Sequence, residues 1–204
     1  MAVKQTLTDK KRADIVNAAI AEFDRLGFQK TSMDHIAKTA EVSKRTVYNH
    51  FPSKDALFRE ITNIMWKQGL AATSYEYQSS KTLNDQLSDI AYQEMVLLKT
   101  PSFISVSRLI FAECFHTPGA VEAAVEQMGE AESGLVLWLK EAISAKRLNI
   151  SDVDIASKQF YGMLKSVAFW PQIIGYACYP DEKTVDKLVS SSVSMFLSQY
   201  EIQD

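Results

Sequence analysis

The chain is short of several residue types, and each shortage excludes something. Only two of its 204 residues are cysteine, Cys114 and Cys178, and they lie far apart. That spacing provides neither a disulfide framework nor a cysteine-built metal site. Histidine occurs three times, as His35, His50 and His116, with no pair at metal-binding spacing. No glycine-rich phosphate loop and no nucleophile elbow is present. With 7 Gly and 5 Pro, the chain has few places to turn, which argues for long helices. No apolar run reaches the ~18 residues a membrane span needs, and no signal peptide opens the sequence. A reducing cytoplasm is the expected compartment, with no membrane partner, no cofactor and no metal.

A normal core is available, since 47% of the residues are hydrophobic and 23% charged. The net charge of −3 is unevenly placed. Residues 1–60 hold 11 Lys and Arg against 8 Asp and Glu, a net of +3, and residues 61–204 carry the balance of −6. A positive end on an acidic body suits binding to a polyanion at that end only.

Within the positive end, residues 31–58 read TSMDHIAKTAEVSKRTVYNHFPSKDALF. Thr31 or Ser32 is placed to cap a short helix, whose face is Met33, Ile36, Ala37 and Ala40. Ala40 to Ser43 form a turn with Val42 as an apolar plug, and Ser43 caps a second helix from Lys44 to about Phe51. Pro52 ends that helix, because the residue before a proline is pushed out of the α region. Ser53 then caps a third, with Asp55 in its first turn.

The second helix carries the functional argument. Val47 and Phe51 share one face, four residues apart, and must pack inward. Arg45 and Asn49 fall opposite, flanked by Thr46 and Tyr48, with Lys44 and His50 at the margins. None of these is acidic. Arg can bond guanine O6 and N7, and Asn can bond adenine N6 and N7. Lys54, Tyr48 and the Thr31 and Ser32 hydroxyls are placed for phosphate. The plain alternative is an ordinary solvated helix face.

Residues from about 12 to 60 resemble the DNA-binding domain of the TetR family of bacterial transcriptional repressors, the matching residues being IVNAAIAEFDRLGFQKTSMDHIAKTAEVSKRTVYNHFPSKDALF. The string S-K-x-T-V-Y-x-x-F-x-S-K-x-x-L-F, from Ser43 to Phe58, is the specific part of the likeness. The rest resembles members with an AefR-like C-terminal domain in length and helical character. Two positions depart from the pattern. Glu41 stands where the family usually has Gly, at a cost on the order of 1 kcal/mol if the turn is left-handed. Arg45 stands where many members have a small residue, which alters base preference. The resemblance implies a dimeric repressor on a near-palindromic double-stranded DNA operator, released by a small-molecule effector in the C-terminal domain.

The expected fold is all-α with nine or ten helices: an N-terminal three-helix helix–turn–helix domain, 1–53, joined by a connector helix to a C-terminal bundle, 54–204. Helix one runs from a Thr8 cap to Leu26 with Ile15, Ala19 and Phe23 inward, and Gly27 stops it. The basic cluster Lys4, Lys10, Lys11 and Arg12 precedes or opens it. The connector runs from Lys54 to about Ala72. Further helices are expected at 82–99, ended by Pro101; at 102–115; at 118–147; from a Ser151 cap through a kink at Pro171; and from Asp181 to Tyr200.

The last two helices, homodimer candidates, offer Phe160, Leu164, Val167, Trp170, Ile174, Val185, Leu188, Val189, Val193, Phe196 and Leu197 for a four-helix interface. Met95, Phe103, Phe111, Phe115, Met128, Trp138, Phe160, Met163 and Trp170 are candidates to line an effector pocket. Each is also an ordinary core residue by type. Two other functions compete with the regulator. An all-α enzyme would need paired catalytic groups, for which Asp85, Asp89 and Glu94 are the nearest set, readable as a helix surface. A protein-binding adaptor would use the same helix–turn–helix, against the grain of its carboxylate-free face.

Overall fold

The computed structural model describes residues 7–72, 75–116 and 134–202. Ten α-helices are present among them: α1 Leu7–Leu26, α2 Met33–Thr39, α3 Lys44–His50, α4 Lys54–Ala72, α5 Leu83–Lys99, α6 Pro101–His116, α7 Gly134–Ser144, α8 Val153–Ala168, α9 Trp170–Ile173 and α10 Glu182–Tyr200. No strand occurs among the described residues, and the all-helical expectation holds. The nearest thing to a sheet is one antiparallel bridge, Leu148 to Glu201. The chain divides into two compact units, Met1–Trp66 with Ser105–Ala124, and Lys67–Ile104 with Val125–Asp204. The divisions fall within α4 and α6.

In the first unit the expected stripe of α1 is buried: Ile15, Ala19 and Phe23 are at most 2% exposed. Gly27, at φ +80°, ends the helix in the left-handed conformation that suits glycine. Phe28 then turns back beneath Phe23 and Phe58, with ring centroids 5.2 and 5.1 Å away. Leu57, Ile61 and Met65 of α4 and Ile36 of α2 are buried in the same unit. Thr8 does not cap α1; it lies inside a helix that already includes Leu7.

In the second unit α10 packs on α5 and α8, and α8 also packs on α5, α7 and α9. Phe160 of α8 meets Phe196 of α10 edge-on at 5.3 Å. Asp181 caps α10 by accepting from Thr184 N at 2.8 Å. Three boundaries depart from expectation. Pro101 opens α6 instead of merely ending α5, because a first-turn residue needs no amide donor. The cap of α8 is Asp152, whose carboxylate accepts from Ile155 N at 2.9 Å, and not Ser151. Pro171 does not kink a continuous helix; α8 stops at Ala168 and the short α9 begins, with the proline in its first turn. Of the helix expected at 118–147, only Gly134–Ser144 is described, with Lys146 at φ +58° beyond it. Val121, Val125 and Met128 lie outside the described residues.

A buried glutamine orders the segment before α5. The Gln86 amide donates to Gln78 O at 2.9 Å and accepts from Gln78 N at 2.8 Å and Trp138 Nε1 at 3.1 Å. Trp138 is 1% exposed and Tyr77 packs edge-on against it at 5.9 Å. Removing one partner of such a network leaves buried donors unmet, at about 1–3 kcal/mol. Gln86→Leu is therefore expected to lower the unfolding free energy by that amount and shift the urea midpoint down, followed by tryptophan fluorescence. A midpoint equal to wild type would show that the amide contributes nothing net.

Candidate nucleic-acid interface

The candidate interface rests on α3, a helix of seven residues, too short to persist alone. Its shape comes from its ends and one buried side. Ser43, extended at φ −69° and ψ 149°, accepts from Thr46 N at 3.1 Å. The Ser43 and Thr46 hydroxyls pair at 2.8 Å. At the far end Phe51 leaves the helix with φ −136°, as the following proline requires. Val47 is fully buried and Phe51 3% exposed, so the predicted inward pair does face the core. Arg45 and Asn49 are exposed, Tyr48 is 44% exposed, and Thr46 and His50 are half-buried.

The turn into α3 is left-handed at Glu41, φ +53°, as its place in the pattern suggested. Glu41 N and Val42 N donate to Lys38 O and Ala37 O, closing the end of α2 at 3.2 and 3.0 Å. Ala40, expected on the buried face of α2, is instead its half-buried C-cap, while Met33, Ile36 and Ala37 are buried. Ser32, not Thr31, caps α2 and accepts from His35 N at 3.2 Å.

Two residues expected to hold phosphate have other duties here. Thr31 is 3% exposed, and its hydroxyl donates to Glu22 O and Gly27 O at 3.1 and 2.9 Å. Lys54 Nζ donates to the carbonyls of Phe28, Gln29 and Thr31 at 2.6, 3.2 and 3.0 Å. It also sits over the Phe28 ring at 4.4 Å. An ammonium has three protons, and all three are used. Both side chains close the corner between α1 and α2. Arg12, from the expected basic cluster, is likewise engaged: its Nη1 lies 2.6 Å from Glu60 Oε1 and its guanidinium 4.9 Å from the Phe51 ring centroid. Lys10 and Lys11 are exposed, and Lys4 lies outside the described residues.

Sequence reasoning missed three carboxylates in this unit. Asp34 of α2 pairs with Lys44 of α3 at 2.8 Å. Glu113 of α6, 6% exposed, accepts from the Gln29 side chain at 3.0 and 3.3 Å. Glu22 of α1, 7% exposed, accepts from Arg25 at 2.7 Å and Thr39 at 2.8 Å. No spacing rule relates Asp34 to Lys44 or Gln29 to Glu113, because each pair joins different elements.

The expected effector residues scatter. Met95 and Trp138 are sealed core residues, each 1% exposed, and Phe160 is fully buried. Phe115 is 86% exposed. Phe111 and Phe115 belong to the first unit, and Met95, Phe103, Trp138, Met163 and Trp170 to the second. Phe103, Phe169 and Trp170 form a chain of ring contacts at 6.3 and 5.2 Å. The His116 side chain lies outside the described residues. Of the carboxylates weighed for an enzyme, Asp85 and Asp89 are exposed, but Glu94 is not a surface residue; it is 3% exposed and 3.4 Å from Lys165 Nζ. Burial first, and Glu113 second, push the Cys114 thiol up, which disfavours the reactive thiolate. No group of three metal-ligating side chains occurs among the described residues.

The hydrogen bonds from Arg25 and then Thr39 hold Glu22 below the ordinary glutamate value of 4.5. A carboxylate with a lowered folded value stabilises above its unfolded value and loses that contribution as pH falls through the folded one. The head should therefore progressively lose the stability Glu22 contributes as pH falls below about 4.5. Glu22→Gln should lower the melting temperature at pH 7 and flatten its acid dependence. Parallel melting curves for both proteins between neutral and acid pH would contradict this assignment.

Comparison with known proteins agrees with this geometry. The model for bacterial regulatory proteins of the tetR family matches residues 15–61, and that for the AefR-like transcriptional repressor C-terminal domain matches residues 85–202. A TetR family transcriptional regulator from Pseudomonas syringae pv. tomato str. DC3000 is 38% identical, with 97% of this chain and 100% of that one covered and a TM-score of 0.85. The flavonoid-responsive regulator FrrA is 26% identical over 96% of this chain and 99% of its own, with a TM-score of 0.73. The protein named "Probable acrEF/envCD operon repressor" of Escherichia coli K12 is 27% identical over 203 residues, covering 92% of this chain and 87% of its own. A capped, one-sided helix on a three-helix support, followed by a matching C-terminal half, leads to one conclusion: the chain belongs to the TetR family of transcriptional repressors, with an AefR-like C-terminal domain.

Proposed function

We propose that this repressor acts as a homodimer on a near-palindromic operator, entering successive major grooves with its two α3 helices about 34–36 Å apart. Residues 1–53 form the DNA-binding domain, and residues 54–204 serve dimerisation and effector binding. Arg45 and Asn49 read base edges. Lys44, Tyr48 and Ser32 hold phosphates, with Thr46 and His50 at the margins of the contact. Thr31 and Lys54 support the surface from behind. The observation that carries this reading is the outer face of α3, exposed at Arg45, Tyr48 and Asn49 and free of carboxylates within the helix. The protein needs no cofactor and turns over no substrate, and it works in the cytoplasm. No single described helix is long and apolar enough to cross a membrane.

The dimer reading is supported by what α8 and α10 leave uncovered. Phe160, Leu164, Val189, Val193 and Phe196, expected at the interface, are at most 2% exposed within one chain. Val167 and Ile155 of α8 and Met195 of α10 remain 38 to 54% exposed, and Ile174, just past α9, 68%. A groove of about 550 Å³ runs between the two helices, lined by Gly162, Met163, Ser166, Met195 and Phe196 among others. A second copy of the same face would fill it.

The effector is a small, largely apolar molecule bound in the C-terminal domain, and it releases DNA by preferring one of two states of the dimer. The ring cluster Phe103, Phe169 and Trp170 supports an aromatic-lined site, and FrrA is by name flavonoid-responsive, a response to planar molecules of the kind such a site would take.

Arg45→Ala and Asn49→Ala should each cost about 1–3 kcal/mol in preference for the selected operator, while binding to unrelated duplex changes little. Gel shifts against DNA selected from a random pool measure this. Absence of any sequence-selective complex at low salt would refute the DNA reading. Met195→Lys should convert the dimer to monomer in light scattering and abolish operator binding; an intact dimer would move the interface elsewhere. A thermal-shift screen of planar and apolar compounds tests the effector, since a ligand that prefers the folded body raises its melting temperature.

A further inference from the structure

The outer face of α3 has no acidic residue of its own, yet it is not free of negative charge. Asp34, in the first turn of α2, reaches across the turn to Lys44 Nζ, with Oδ1 at 2.8 Å and Oδ2 at 3.0 Å. Both side chains are 60% exposed, so this pair forms in water and not in a core. Lys44 opens α3, where the helix dipole disfavours a cation, and Asp34 offsets that penalty. The Lys44 ammonium also lies 6.0 Å from the centroid of the Tyr48 ring.

We propose that Asp34 is an internal competitor of the DNA backbone: it holds Lys44 in the free protein and must give it up when the head takes a phosphate. This rests on the reading of α3 as the DNA-binding helix. The consequence appears in the ion balance. A solvated lysine that moves onto a phosphate releases a condensed counterion and adds about 0.9 to the salt slope. Lys44 arrives with Asp34 beside it, so the two side chains together bring no net positive charge to the phosphates. They displace little of the condensed cation layer, and the contact becomes nearly silent to salt. The carboxylate left beside the duplex also repels it. Asp34 thereby weakens the part of binding that every sequence shares and leaves the base contacts a larger part of the total. It is a specificity-setting residue that touches no base.

The test uses the full-length protein, a labelled mixed-sequence duplex and a series of salt concentrations, read by fluorescence anisotropy. Asp34→Asn should bind this duplex about two- to fivefold more tightly per head, the range a surface ion pair commands. Its plot of log affinity against log salt should steepen by about one per head. Asp34→Ala should do the same, since charge and not hydrogen bonding is at issue. Lys44→Ala should remove most of the gain when combined with Asp34→Asn. Melting curves identify any variant that has lost its fold, and the second Asp34 variant then carries the test. If wild type binds the duplex with a salt-dependent affinity and both Asp34 variants match it in affinity and slope, the competitor role is wrong while α3 keeps its assignment. If Asp34→Asn instead binds more weakly, the carboxylate contacts DNA directly and the proposal is again wrong. If wild type shows no salt-dependent binding at all, the reading of α3 falls and this inference falls with it.

Discussion

Three carbonyl oxygens converge on one ammonium group at the corner between α1 and α2, and the head is arranged around that meeting. Residues 27–31 belong to no helix, so their carbonyls have no helical ladder to join. Lys54 supplies the donors for Phe28, Gln29 and Thr31. Because Lys54 is also the first residue of α4, the same bonds fix the start of α4 against the end of α1. α3 hangs between α2 and α4, and both of its neighbours are anchored at this corner. The Phe28 ring beneath the ammonium adds a cation–π contact and joins the corner to Phe23 and Phe58.

This anchoring explains how so small a helix can leave so many groups outside. Val47 alone is buried within α3, and Phe51 adds a second anchor one residue beyond its end. A reading surface has to be exposed, and exposure removes the burial that would otherwise hold it in place. The head meets both demands by placing the rigidity in α1 and α4, whose buried stripes are longer. The side chains that look available for phosphate by type are then sorted by position: those behind α3 are used inside the protein, and those on its front stay in solvent, Lys44 paired there with Asp34.

The elements of the head could be read from the sequence because their signals are local. Caps at Ser32, Ser43 and Ser53, the stop at Gly27 and the break at Pro52 depend on neighbours within four residues, and the helices begin and end close to those marks. The roles of Thr31 and Lys54 could not be read this way. A lysine at a helix start carries the same letter whether its ammonium meets a phosphate or three carbonyls 23 to 26 residues away. Glu94 looked like a surface residue for a similar reason, since its polarity disguised a place on the buried side of α5. The apolar stripes of α8 and α10 were plain, but a stripe does not say which partner covers it. Phe160 and Val193 go to the chain's own core, whereas Ile155 and Met195, absent from the expected set, stay outside.

Glu41 bears on what can be separated from the rest. Its left-handed backbone opposes the preference of its own residue type, by about 1 kcal/mol. α2 and α3 have seven residues each, below the length at which a helix persists unaided. A peptide cut to Thr31–Phe51 would contain every base-reading group and still fail to display them. Its turn would relax and both helices would fray. The reading motif is thus a loan of conformation from the flanking helices, and imitating it takes their scaffold as well as its letters.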